Sequence, residues 1–238
     1  MNHIKAIILK ELRNYFNSPL AYIFISIYLV ILGWLFFSNF FLMGQASMRS
    51  YFNYLPWVFL FLIPAITMRL WAEEKKLNTT EILYTWPIQD FEIILGKFFA
   101  SLLFLTIALI CSLSIPISIS FLGSLDWGVV IASYLGALCL GAAFLAIGLF
   151  VSSLTDNQII AFIVSIALAF IFFIIGENLV TYFLPSFLIN LFQYLGLGYH
   201  FNSISKGVLD SRDIIYYLSI IGFFLYLNIR QIESRKWK

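Results

Sequence analysis

The residues of this chain that could do chemistry are few and scattered. Glu177 stands in IIGENLV, His200 in GYHFNS, His3 near the start, and Cys111 and Cys139 in separate apolar runs. No H-E-x-x-H, no pair of acids at matched depth and no Ser/His pair on facing apolar segments accompanies them, so hydrolysis has no constellation to work with. The two cysteines lack the spacing of a disulfide framework or a zinc site and read as small apolar packing residues. A G-x-x-x-x-G-K-[ST] loop is also missing, so the sequence offers no usual cradle for ATP phosphates. No cofactor, metal site or enzymatic activity of the chain's own is expected, and nucleic acid is not an expected partner.

Polar residues concentrate elsewhere. Nine of the 26 Lys, Arg, Asp and Glu residues lie between Arg69 and Lys97, in a chain that is 62% apolar and only 11% charged. Soluble domains carry roughly 25% charged residues, so this composition indicates an integral membrane protein. A bilayer core takes about 20 apolar residues per helix, and the pattern predicts one all-α membrane domain over 1–238. Its six expected spans are 21–43, 52–71, 97–122, 128–151, 159–180 and 213–230. Pro56 and Pro64 fall in the second, and the turn GSLDW separates the third from the fourth. The first span is too long, and lacks the A-x-A-like site, to be a cleaved signal peptide.

With the N-terminus inside, Lys5, Lys10, Arg13, Arg69, Lys75, Lys76, Lys97, Arg230, Arg235, Lys236 and Lys238 fall on the inner side. Only Arg49, Lys206 and Arg212 fall outside. This bias predicts a multi-pass protein with both termini in the cytoplasm. In 1–18, Ile4, Ile7, Ile8, Leu12, Tyr15 and Phe16 share one helical side, with Lys5, Glu11, Arg13 and Asn14 elsewhere, which predicts an interfacial amphipathic helix. Asn17, Ser18 and Pro19 should break it. In the fourth span Ser133, Ala137 and Gly141 form a small-residue stripe suited to close helix approach.

The polar segment 72–96 is then a cytoplasmic loop. Asn78-Thr79-Thr80-Glu81 is an Asx variant of the N-terminal capping box, which predicts a short helix from near Thr79 to just before Pro87. Asp90 should cap the helix that leads into the third span. The short helix would expose Ile82, Leu83, Tyr84 and Trp86. Physics alone leaves open whether these dock on a cytoplasmic partner or rest among lipid headgroups.

FLIPAITMRLWAEEKKLNTTEILYTWPIQDFEIILGK resembles the signature region of type-2 ABC exporter permeases. There, a second span ends in E-(E/K)-(K/R), followed by a G-T-x-E-x-L-L-like helix, a proline, and L-G-K opening the third span. KELRNYFNSPLAYIF and YHFNSISKGVLDSRDIIYYLS are similar to further blocks of that family. SPLAYIF, FLIPAITMR and DNQIIAF resemble the permeases associated with bacterial gliding motility. Asn78 replaces the family's usual Gly, and Asn tolerates the same left-handed backbone.

The resemblance implies a permease subunit of the bacterial inner membrane whose coupling helix engages a separate ATP-binding cassette subunit. The docking residues would be Glu73, Glu74, Asn78, Thr79, Thr80, Glu81, Leu83, Trp86 and Pro87. ATP and Mg2+ would reside on that partner, and a second permease copy or homologue would complete a dimer in membrane lipid. It also implies short re-entrant helices within the external loop 181–212. Glu177, near the outer end of the fifth span, is a candidate for the translocation path or gate, because acids within spans are rare and functional by default. Alternatives are a permease for haem or copper-site maturation, or an ATP-independent secondary transporter.

Overall fold

The computed structural model describes residues 2–43, 47–79, 88–183 and 185–236, and these form helices joined by short turns. They are α1 (Asn2–Asn17), α2 (Pro19–Met43), α3 (Arg49–Thr67), α4 (Arg69–Lys76), α5 (Asp90–Ser112) and α6 (Ser114–Ser120). The second half holds α7 (Trp127–Leu154), α8 (Gln158–Ile174), α9 (Asn178–Thr181), α10 (Ser186–Leu195), α11 (Leu197–Ile204) and α12 (Ser211–Lys236).

Among the described residues, five helical stretches are long and apolar enough to cross a membrane: Pro19–Phe41, Arg49–Lys76, Asp90–Ser120, Trp127–Leu154 and Ser211–Ser234. The apolar helix α8 has 17 residues, or about 26 Å at 1.5 Å per residue, the short limit for a span. It ends at Ile174, not near 180 as its hydropathy suggests, because the chain turns at Ile175 and Gly176. Apolar side chains continue past that turn, and hydropathy cannot register a change of direction.

The helices divide between a buried centre and an apolar exterior. α7 packs against α3, α4, α5, α8, α11 and α12. Its small residues allow this: Ser133, Ala137 and Gly141 are all buried, and a Cβ on Gly148 would come within 2.1 Å of Thr67 Oγ1 on α3. α2 buries Ala21, Tyr28, Leu32 and Phe36 along one stripe and exposes Val30, Trp34 and Phe41. An apolar exterior of this kind is stable in lipid and not in water.

Local chemistry sets the breaks. Ser18 is a bend between α1 and α2, with its hydroxyl donating to Tyr15 O at 3.0 Å, and Pro19 opens α2, where its missing N–H does no harm. Asp126 caps α7, accepting from Gly128 and Val129 N–H, and Asn157 caps α8 through Ile159 and Ile160 N–H. α5 is capped by Gln89, whose N–H donates to the Glu92 carboxylate at 3.3 Å. Asp90, expected as the cap, is instead the first helical residue. The acid pairing three residues on decides the register, and Glu92 is correctly spaced for Gln89.

The close approach of α7 to α3 gives a direct test. Gly148→Ala should lower stability by about 1–3 kcal/mol, the usual range for overpacking. Thr67→Ala in the same chain should recover a good part of that loss, read as the thermal midpoint of the purified protein in detergent. Equal midpoints for Gly148→Ala and the unmodified protein would show that the two helices are not held this close.

Candidate functional site

α1 lies across the start of α5, and Gly96 lets it, since a Cβ there would meet Ile7 Cγ2 at 2.6 Å. The buried stripe of α1 is Ile7, Glu11 and Tyr15. Glu11, expected away from the apolar side, is four residues from each of the other two and therefore on their face. It is buried beside Lys97, the residue after Gly96 on α5, whose ammonium it meets at 3.4 Å.

Lys97 is 2% exposed. Its ammonium lies 2.8 Å from Glu74 Oε1 on α4 and 3.4 Å from Glu11 Oε1 on α1. It donates to Leu70 O at 2.8 Å and sits 4.9 Å from the centre of the Trp71 ring. Lys10 adds a second cation 3.6 Å from both Glu11 and Glu74. Beside them Tyr15 shares a 3.3 Å hydrogen bond with Ser101, stacks on Phe104 and takes the Arg69 guanidinium over its ring at 5.8 Å. Burial pushes the Tyr15 phenol well above its ordinary value, despite the Ser101 hydrogen bond that lowers it, so this hydroxyl acts as a structural group. Together α1, α4 and α5 bound a mixed-charge cleft of about 470 Å3.

α4 is held from a third side by α7. Ser152 Oγ accepts from Trp71 N–H at 3.1 Å and Ala72 N–H at 3.2 Å, and donates to Met68 O at 2.9 Å. That one hydroxyl serves backbone groups at the junction where α3 stops and α4 starts, groups that a helix start otherwise leaves unmatched. Lys75 donates to Ser153 O and lies 3.9 Å from Asp156 Oδ1. The sequence signal for these ties was faint: a Ser-Ser pair in FVSSL and a lysine already accounted for by orientation.

Of the docking residues named from sequence, Thr80, Glu81, Leu83, Trp86 and Pro87 lie outside the described residues, as does the short helix expected there. Glu74 turns inward to Lys97. Glu73 pairs with Arg69 at 3.4 Å and is partly exposed. Asn78 has a φ of 55°, the left-handed region expected of it. That geometry closes α4 from behind, and Thr79, directly after it, is already helical. Asn78 N–H donates to Lys75 O at 3.0 Å and the Thr79 hydroxyl to Glu74 O at 3.1 Å, satisfying the last carbonyls of α4.

The remaining candidates separate. Cys111 and Cys139 are unpaired thiols, and among the described residues no cluster of His, Cys, Asp and Glu could hold a metal. His200, expected in a loop, is a buried residue of α11. Its Nδ1 is 2.6 Å from Asp213 Oδ1 on α12, its Nε2 is 2.9 Å from Tyr194 O, and its ring stacks on Tyr216. The spacing of 13 residues with a turn between hid this pair. Glu177 stands beyond α8 at the start of α9, half-buried, its Oε1 accepting from Asn202 Nδ2 at 3.1 Å. Burial pushes its carboxyl up from the ordinary value, and the Asn202 hydrogen bond partly offsets that.

A chain whose described residues are helical, with several apolar crossings and a buried ionic knot at one end, is a multi-pass membrane protein. Residues 5–227 match the model of a family described as ABC-2 family transporter protein, and the chain belongs to that family. Its members are membrane permease subunits that associate with an ATP-binding cassette subunit. No curated protein matches the chain.

The ionic knot predicts a characteristic pattern of loss and rescue. Lys97→Met leaves the buried Glu11 and the partly buried Glu74 with only the exposed Lys10, 3.6 Å from each, as a counter-charge and should destabilise by about 3 kcal/mol, the low end for a broken buried pair. Adding Glu11→Gln and Glu74→Gln to it should restore most of the stability, measured by thermal unfolding in detergent. A triple variant as unstable as Lys97→Met would mean that Lys97 acts through packing alone.

Proposed function

We propose that this chain is the membrane-spanning permease subunit of an ATP-driven exporter in a bacterial inner membrane. The family match over residues 5–227 carries the reading. α8 serves as the fifth span in chain order, bringing the total to six, and both termini face the cytoplasm, in keeping with eleven basic residues on that side against three on the other. α1 lies at the inner interface. Residues 79–86 form the coupling helix, docked in a cleft of a separate ATPase, and ATP and Mg2+ are bound there and not on this chain. A second copy or a homologous permease completes the path within the surrounding lipid, and the helices of the external loop dip back into the membrane.

α4 supports the coupling role. A loop that transmits force must not yield at its root, and α4 is tied to α1 and α5 through Lys97 and to α7 through Ser152. When ATP closes the paired ATPases, displacement of the loop is delivered through α4 to three other helices together. The SPLAYIF, FLIPAITMR and DNQIIAF blocks further favour a cargo connected with gliding motility.

Leu83→Asp with Trp86→Asp should abolish co-purification of the partner ATPase while leaving the permease in the membrane; an intact complex would refute docking through this helix. Orientation is checked by single cysteines in a Cys111→Ala, Cys139→Ala background. Phe183→Cys should react with an impermeant maleimide added to whole spheroplasts, and Leu77→Cys only after lysis; the reverse would invert the topology.

A further inference from the structure

Glu177 lines a cavity of about 230 Å3 between α3, α8 and α11. That is room for roughly seven waters at about 30 Å3 each. Apart from Glu177, Asn202 and Asn53, its walls are apolar, chiefly Trp57, Phe173, Phe201 and Leu179. Trp57 and Phe173 meet edge to face at 5.4 Å, and Trp57 keeps 45% of its surface open. The carboxylate is placed here deliberately by close backbone packing: a Cβ on Gly198 would lie 2.7 Å from Glu177 Oε1 and 2.8 Å from Phe173 O.

Among the described residues Glu177 forms no ion pair. Arg49 and Lys206 line a separate cavity, of about 260 Å3, that meets this one only at Phe52. Among the described residues, this half-buried acid has no protein cation and shares its cavity with an indole, so it lacks its natural complement. A metal ion fits poorly, because Ca2+ takes six to eight oxygen ligands and the walls offer mainly carbon. An ammonium group fits both halves, attracted by the carboxylate and by the negative faces of the aromatic rings.

We propose that this cavity is a binding site for an organic ammonium group, with Glu177 as the counter-charge and Trp57 as the aromatic face. It deepens the export reading by naming the chemistry of a ligand at the outer mouth, and it rests on that reading only for which side of the membrane the cavity faces. The ammonium group has two sources, a soluble amine or the headgroup of a lipid such as phosphatidylethanolamine. Bound there, it would hold Glu177 ionised against the burial that otherwise favours the protonated form.

The test uses the full-length permease in nanodiscs of phosphatidylglycerol alone, with choline as probe and ligand-detected saturation-transfer NMR as readout. Choline should give a saturable signal, and its uncharged carbon analogue 3,3-dimethylbutan-1-ol should not compete at equal concentration. Glu177→Gln should weaken choline about tenfold, the loss of one partly screened charge contact. Should that variant fold poorly, Trp57→Leu serves in its place, with an expected weakening of several-fold.

No choline signal, equal binding of the uncharged analogue, unchanged affinity in Glu177→Gln, or displacement of choline by Ca2+ at far lower concentration would each overturn the site. Repeating the titration with phosphatidylethanolamine in the disc assigns the source: weakened choline means that the headgroup occupies the cavity, and unchanged affinity means a soluble amine. Retained ATPase co-purification alongside a failed titration would remove the ligand site and leave the permease reading standing.

Discussion

A buried lysine ammonium is the constraint around which one end of this molecule is arranged. Lys97 is 2% exposed, and an uncompensated charge at that depth is untenable without nearby acids and acceptors. It finds Glu11, Glu74 and the carbonyl of Leu70, which belong to two other helices. α1, α4 and α5 therefore cannot be positioned independently: placing any one without the others strands a charge. Such a knot adds little net stability over an apolar equivalent. What it supplies is register, because Glu11 and Glu74 meet one ammonium only when all three helices are correctly set.

The same end shows how a helix break is made rigid. Pro64 lies inside α3 and a Met68 turn divides α3 from α4, and such a division ordinarily makes a hinge. Here Ser152 from the central helix receives two N–H groups and returns its hydroxyl to Met68 O, so the junction is bridged. Under the proposed coupling role such bridging matters, since a soft root would absorb the displacement carried by the loop.

Much of this was legible in the sequence because the signals were local or summed over many residues. Hydrophobic runs marked the crossings, Pro19 marked the first break, and Asn78 announced a left-handed turn, now seen at a φ of 55°. Three kinds of feature were not legible. Glu11 sits on the apolar stripe, and polarity alone assigned it elsewhere, because nothing local reports a lysine 86 residues away. The end of α8 was misplaced since Ile175 and Leu179 keep the hydropathy high past the turn. His200 and Asp213 are joined by the packing of α11 on α12, and no periodic pattern links them.

The opposite end follows a different logic, using neutral ties where the first uses charge. Tyr216 and Tyr217 of α12 donate to Leu195 O at 2.5 Å and Leu197 O at 2.9 Å, backbone carbonyls at the junction of α10 and α11. His200 spans Tyr194 O and Asp213 across the same seam. These bonds fasten α11 to the last span, and α11 in turn carries Asn202 to Glu177 and Gly198 to the end of α8. Glu177 is thus held at the edge of a braced scaffold, with Oε1 tied to Asn202 and the carboxylate lining the cavity. α7 contacts both α4 and α11, so one buried helix joins the charged root at one end to the seat of this acid at the other. A shift of α7 imposed at Ser152 would be felt at Ser133, whose hydroxyl reaches Ser205 O at 3.4 Å beside α11.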